Sequence, residues 1–345
     1  MGSEGAMATK ARAMFGERLK ADAYEALIQK KSIADIVAYL KNHPLYKETL
    51  DGINEKAVHR GQIEVLLRVN VYLRLKKLLR YGDERDMEFM VAAAMNTELQ
   101  MILTCIRTLM NPDSDEREQL IAEMPMYVAD HMSFDIAQLA HVESFDQLLQ
   151  LLQGTRYYDM VLRHRTNTVS EIDYVDLAHD LHEVYFHTLE AMAEHTCKGE
   201  EKEQLLRMIN MRAELENIAV IYRLKKYFNL SAVEISKSVN SRTCLFSTKE
   251  IRKLIEECNA DEVLSAIERK YHRYTRNAKF LYIENFTERI GYNMYYTTME
   301  TSMDAHLILL AYLQLAMVEI RNVINIIEGV RYHVSNDKIR AMMIY

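Results

Sequence analysis

Ser144 to Leu152 reads SFDQLLQLL, and two other stretches repeat its pattern. Ser32 to Leu40 reads SIADIVAYL, and Asn259 to Ile267 reads NADEVLSAI. Each carries apolar residues at the same offsets: Ile36, Val37 and Leu40; Leu148, Leu149 and Leu152; Val263, Leu264 and Ile267. Positions i, i+1 and i+4 share one face of an α-helix. A second motif follows each copy: Glu98-Leu99-Gln100-Met101-Ile102, Glu214-Leu215-Glu216-Asn217-Ile218 and Glu319-Ile320-Arg321-Asn322-Val323. The intervals from Ser32, Ser144 and Asn259 to these glutamates are 66, 70 and 60 positions. Two motifs recurring in one order at similar distances predict three copies of one helical unit.

The composition agrees. The chain has 345 residues, 49% of them hydrophobic, with only 10 Gly and 3 Pro but 21 Tyr and 21 Met, and no Trp. Few helix breakers and many good helix formers predict an all-α fold. Lys and Arg number 43 against 50 Asp and Glu, a net charge of −7, which argues against a nucleic-acid partner. Cys105, Cys197, Cys244 and Cys258 are scattered without a CxxC pair and read as reduced thiols of a cytoplasmic protein. No signal peptide is expected at Met1–Ala6. The longest apolar stretch, Leu307 to Val318, is 12 residues and includes Gln314, so no membrane span is expected.

Along the chain, a first helix is expected over Ala6 to Gln29, and Gly52 and Gly61 bracket a loop. Gly82-Asp83-Glu84-Arg85 reads as a turn. Asn111-Pro112-Asp113-Ser114-Asp115 stops one helix and caps the next. Lys198-Gly199-Glu200-Glu201-Lys202-Glu203 is the most linker-like stretch. The last long helix is expected to place Ile320, Val323, Ile324, Ile327 and Val330 on an apolar stripe, with Arg321, Asn322, Asn325 and Glu328 opposite.

No catalytic, cofactor-binding or metal site is expected. His182-Glu183-Val184-Tyr185-Phe186-His187 is HExxxH, one residue longer than a zinc-protease helix, so its histidines point about 140° apart. His179 and His182 are three apart, but no cysteine or third histidine shares their face. No histidine follows a glutamate at the ExxH spacing of a di-iron bundle. GxxxxGK[ST], GxGxxG and GxSxG are all missing from the sequence. Basic groups are the candidate partner-binding residues: Arg74, Lys76, Lys77 and Arg80, beside Arg68, on one helix, and Arg223, Lys225 and Lys226 on another. A third group, Arg269, Lys270, Arg273, Arg276 and Lys279, is interleaved with Tyr271 and Tyr274. Such groups either solvate a helix face near its negative end or dock onto acidic loops of a partner.

The chain resembles the C-type subunit family of bacterial and archaeal V/A-type rotary ATPases, whose counterpart in the eukaryotic vacuolar enzyme is the d-type subunit. The resemblance rests on Ala11-Arg12-Ala13-Met14 followed by Arg18-Leu19, on Val37-Ala38-Tyr39-Leu40-Lys41-Asn42 running to Tyr46, on Glu214-Leu215-Glu216-Asn217-Ile218 running into Arg223-Leu224-Lys225-Lys226, and on Glu319-Ile320-Arg321-Asn322-Val323. It spans essentially the whole chain. Glu328-Gly329-Val330-Arg331 departs from it, being less basic than the family's ending. The resemblance implies three helical domains around a pseudo-threefold axis forming a funnel, with repeats over 1–95, 96–203 and 204–345. It also implies a non-catalytic rotor adaptor, in contact with the central stalk and the membrane proteolipid ring. Two other classes stand beside it: an unrelated helical-repeat scaffold, and an all-helical enzyme with a scattered site.

Overall fold

A computed structural model describes residues 3–58, 60–112, 132–275 and 280–345. It is all-α, with no strand among the described residues. The chain divides into two compact units. One comprises residues 1–188, 316–343 and 345; the other comprises 189–315 and 344.

The three short motifs form the helices Ile33–Lys41, Phe145–Leu152 and Ala260–Lys270. Each starts on the polar residue that opens the motif. The side chains of Ser32, Ser144 and Asn259 accept the amides of Asp35, Gln147 and Glu262 at 3.1, 3.3 and 3.0 Å. Such a cap is worth about 1 kcal/mol. Ser32 and Ser144 even share one backbone conformation, φ −145° and ψ 158°. Ile36, Leu148 and Val263 are each fully buried. Leu264 is the exception to the expected face, being only half-buried.

The three glutamates lie within the long helices Glu88–Met110, Gly199–Arg223 and Ala305–Arg331. All three are buried. A buried carboxylate is tolerated only when hydrogen-bonded. Glu98 accepts the Ser133 amide and, at 2.6 Å, the Tyr157 hydroxyl. Glu214 accepts the amides of Cys244, Leu245 and Phe246 at 2.5, 3.1 and 3.0 Å, and the Tyr271 hydroxyl at 2.5 Å. Glu319 accepts the Leu19 amide at 2.8 Å, the Tyr46 hydroxyl at 2.6 Å and the Arg74 guanidinium at 2.9 Å. The same clasp therefore recurs three times. In each, the amides precede a short helix, where backbone donors lack helical partners. The tyrosine lies just beyond the capped motif helix. One carboxylate thus ties both ends of a short-helix pair to a long helix.

The clasps also set the repeat register. Two of the glutamates serve the short motif after them in sequence, Glu98 with Tyr157 and Glu214 with Tyr271. Glu319 has no motif after it and closes back onto the first copy through Tyr46.

Several sequence expectations are corrected. The first helix breaks into Ser3–Gly16 and Ala21–Ile28, because the intervening Leu19 amide is drawn to Glu319. Gly61 lies inside the helix Arg60–Leu79, so the loop ends before it. Lys198–Glu203 is no linker: Gly199, at φ +59°, turns the chain directly into the next long helix. Asn322 is buried and donates to the Tyr24 hydroxyl at 3.2 Å. The helix after Pro112 falls outside the described residues. Two helical stretches, Arg85–Met110 and Ala305–Arg331, are long and apolar enough to cross a membrane by composition, yet 83% of each apolar window is buried inside the fold. Their apolar surface is already used as core.

The clasps predict a pH dependence. Burial, then the neighbouring carboxylate charge, pushes the hydroxyls of Tyr46, Tyr157 and Tyr271 well above the ordinary tyrosine range. A pKa raised in the folded state contributes stability that is complete below the unfolded value of about 10 and is lost as pH rises above it. An alkaline titration followed by tyrosinate absorbance should show these three ionising only as helical circular dichroism collapses. Ionisation of every tyrosine with the helices intact would contradict the clasp.

Candidate partner-binding surface

The helix Arg60–Leu79 carries the first basic group, and the structure separates its members. Arg74 is 3% exposed, bonded to Glu319 and stacked 4.7 Å from the centre of the Tyr46 ring. It is an inward part of the first clasp and is withdrawn from the proposed surface. Lys76 and Arg80 are exposed. Lys77 is half-buried and pairs with Glu48.

The second group surrounds an irregularity. The helix Gly199–Arg223 widens into a π-helical turn over Leu224–Phe228, and Asn229 ends it in the left-handed region at φ 50°. Asparagine tolerates that conformation better than most residues. A π-turn shifts the residues beyond it around the helix axis. Tyr227 and Phe228 are 66% and 62% exposed, and Val233 just beyond is 68% exposed. Leu230 joins the same short exposed apolar run. The lysines before the patch are already engaged. Lys225 donates to the Ile255 carbonyl at 2.6 Å, near the negative end of the helix Thr248–Glu256. Lys226 pairs with Asp261 at 3.2 Å, and Arg223 with Glu284 at 3.2 Å. Hydrogen bonding to Asp261 raises the Lys226 pKa. The surface is thus more apolar than its sequence suggested: the cations hold neighbouring helices while the aromatics face outward. Sequence reasoning missed Tyr227 and Phe228 because a regular helix gives no reason for two adjacent aromatics to stay outside.

In the third group, Lys270 donates to the Leu245 carbonyl at 3.1 Å and pairs with Glu250 at 2.8 Å. Tyr271 is the buried clasp hydroxyl. Arg276 and Lys279 lie outside the described residues.

The HExxxH segment does not converge. His187 is exposed, with Nε2 3.9 Å from Glu183 of the preceding turn, while His182 is half-buried. Asp, Glu and Lys side chains near the basic groups form ion pairs and caps, an arrangement suited to holding surfaces together.

An all-helical chain built on three recurring clasps, with an exposed aromatic patch on a π-turn, has the marks of a structural part of a larger assembly. The profile of the ATP synthase (C/AC39) subunit family matches residues 7–342, and the chain belongs to that family, which serves the V/A-type ATPases. No curated protein matches the chain significantly.

The division between inward and outward cations is measurable. Arg74→Ala leaves Glu319 buried without its cation and should cost about 3–5 kcal/mol of unfolding free energy. Lys76→Ala and Arg80→Ala should stay within about 0.5 kcal/mol of the parent. Equal urea midpoints for all three would show that Arg74 is not part of the clasp.

Proposed function

We propose that this chain is the non-catalytic rotor adaptor of its V/A-type ATPase, joining the central stalk of the ATP-hydrolysing head to the membrane proteolipid ring. In this reading it works on the cytoplasmic side, held to the membrane through the complex, and couples ATP hydrolysis or synthesis to proton or sodium movement. The observation that carries the reading is the family match over nearly the entire chain, joined to a fold whose three motif glutamates are all spent on clasps. A part that transmits torque needs stiff units and wide interfaces. Three repeated clasps supply the first. The π-turn patch and the exposed cations supply candidates for the second.

The three repeats, over 1–95, 96–203 and 204–345 with a closing last helix, belong to the same proposal. Within it, Tyr227 and Phe228 are the contact residues of the second group, flanked by Arg223, Lys225 and Lys226. Lys76, Lys77 and Arg80 are those of the first. Aromatic residues suit protein interfaces because they bury much area at little entropic cost. Rim cations act mainly on association rate and salt sensitivity.

Reconstitution tests the reading. Complex assembled without this chain should hydrolyse ATP in the head but fail to pump ions. A Tyr227→Ser/Phe228→Ser chain should fold normally and rejoin head and membrane sector at least tenfold more weakly. Full ATP-driven pumping without the chain would eliminate the adaptor role. Parental reassembly by the double variant would eliminate the π-turn as the contact and leave the adaptor role in place.

A further inference from the structure

Two potential metal ligands four positions apart, Cys197 and Glu201, converge with a distant third, His306, in the unit spanning 189–315. Cys197 lies just past the helix Tyr174–Thr196, in the short turn that Gly199 closes. Glu201 follows in the first turn of Gly199–Arg223. His306 opens Ala305–Arg331. The Cys197 sulfur, a Glu201 carboxylate oxygen and a His306 ring nitrogen all lie within 4.8 Å of one another. Cys197 and His306 are buried, and Glu201 is half-buried. His306 Nδ1 sits 2.7 Å from Glu201 Oε1. No sequence spacing announces this group, since the histidine enters from a different helix.

We propose that Cys197, Glu201 and His306 form a zinc-binding site. The donor chemistry selects the metal. A thiolate, an imidazole and a carboxylate make a mixed set that suits Zn²⁺, whereas calcium and magnesium prefer oxygen ligands throughout. Tetrahedral zinc, with bonds of about 2.0–2.3 Å, places its ligand atoms about 3.5 Å apart. The present spread therefore needs side-chain shifts of about an ångström. His306 and Glu201 already share a hydrogen bond, and the metal would replace the proton between them. The Thr196 hydroxyl donates to the Met192 carbonyl at 2.8 Å, and its oxygen lies 3.5 Å from the Cys197 sulfur, where it can accept the thiol proton that metal binding would displace. Bound there, zinc would pin the 197–199 turn to the start of the last long helix. The site is independent of the adaptor role and stands or falls separately.

Metal-stripped protein should take up one equivalent of Zn²⁺ in competition with a chromophoric chelator. Co²⁺ at the same site should give a thiolate-to-metal charge-transfer band. Metal binding replaces protons and should weaken as pH falls. Cys197→Ser and His306→Gln should each lower zinc affinity by at least the 10–100-fold that loss of an outer-shell partner costs. Cys258→Ser should leave it unchanged. If the Cys197→Ser chain does not fold, the cobalt band on the parent protein still decides. A parent chain that binds less than one equivalent, binds cobalt with no thiolate band, or keeps its zinc in folded Cys197→Ser overturns the site.

Discussion

A glutamate carboxylate in a helical core costs several kcal/mol unless something replaces its water, and this chain places three of them there. Each finds the same replacement: backbone amides from the entry to a short helix and one tyrosine hydroxyl. The need is mutual. Those amides precede a helix start and have no partner of their own, and each tyrosine is too buried for water to reach. Removing any member leaves the others unsatisfied. The short-helix pairs, too brief to persist alone, are held in place by this exchange.

The clasp also explains how a chain of modest helices makes stiff units. Charge-assisted hydrogen bonds are short and directional, and they fix a long helix against two short ones at a single point. The apolar faces at Ile36, Leu148 and Val263 then pack around that point. In the first copy Arg74 adds a cation, and in the third the carboxylate gathers three successive amides instead. The two solutions differ in detail but meet the same electrostatic requirement. In the proposed rotor role, such units transmit torque with little internal give, and the chemistry of ATP needs no residue of theirs.

Much of this was legible in the sequence. The apolar offsets and the Glu-led motifs both mark the repeat, and the capping residues Ser32, Ser144 and Asn259 sit where helix starts demand them. The clasp tyrosines were not read as a set. Their distance from the end of the motif shortens by one residue from copy to copy, at Tyr46, Tyr157 and Tyr271, so no fixed period exposes them. The order of pairing was hidden for a topological reason: Glu319 serves the first copy from the far end of the chain. Arg74 looked like its surface neighbours because one basic residue in a basic helix carries no sign of which way it points. The exposed Tyr227 and Phe228 depend on a π-turn, which local composition does not announce.

The clasp constrains specific amides that lie outside any helix. Leu19, Ser133 and Phe246 donate to carboxylates from non-helical segments, where backbone amides ordinarily exchange quickly. Native-state hydrogen exchange resolved to single residues reads that constraint amide by amide. All three should be protected as strongly as the core amides of the long helices, and Glu214→Gln should lower protection at Phe246 far more than at Leu19. Exchange of the three at the rate of neighbouring loop amides would contradict the clasp.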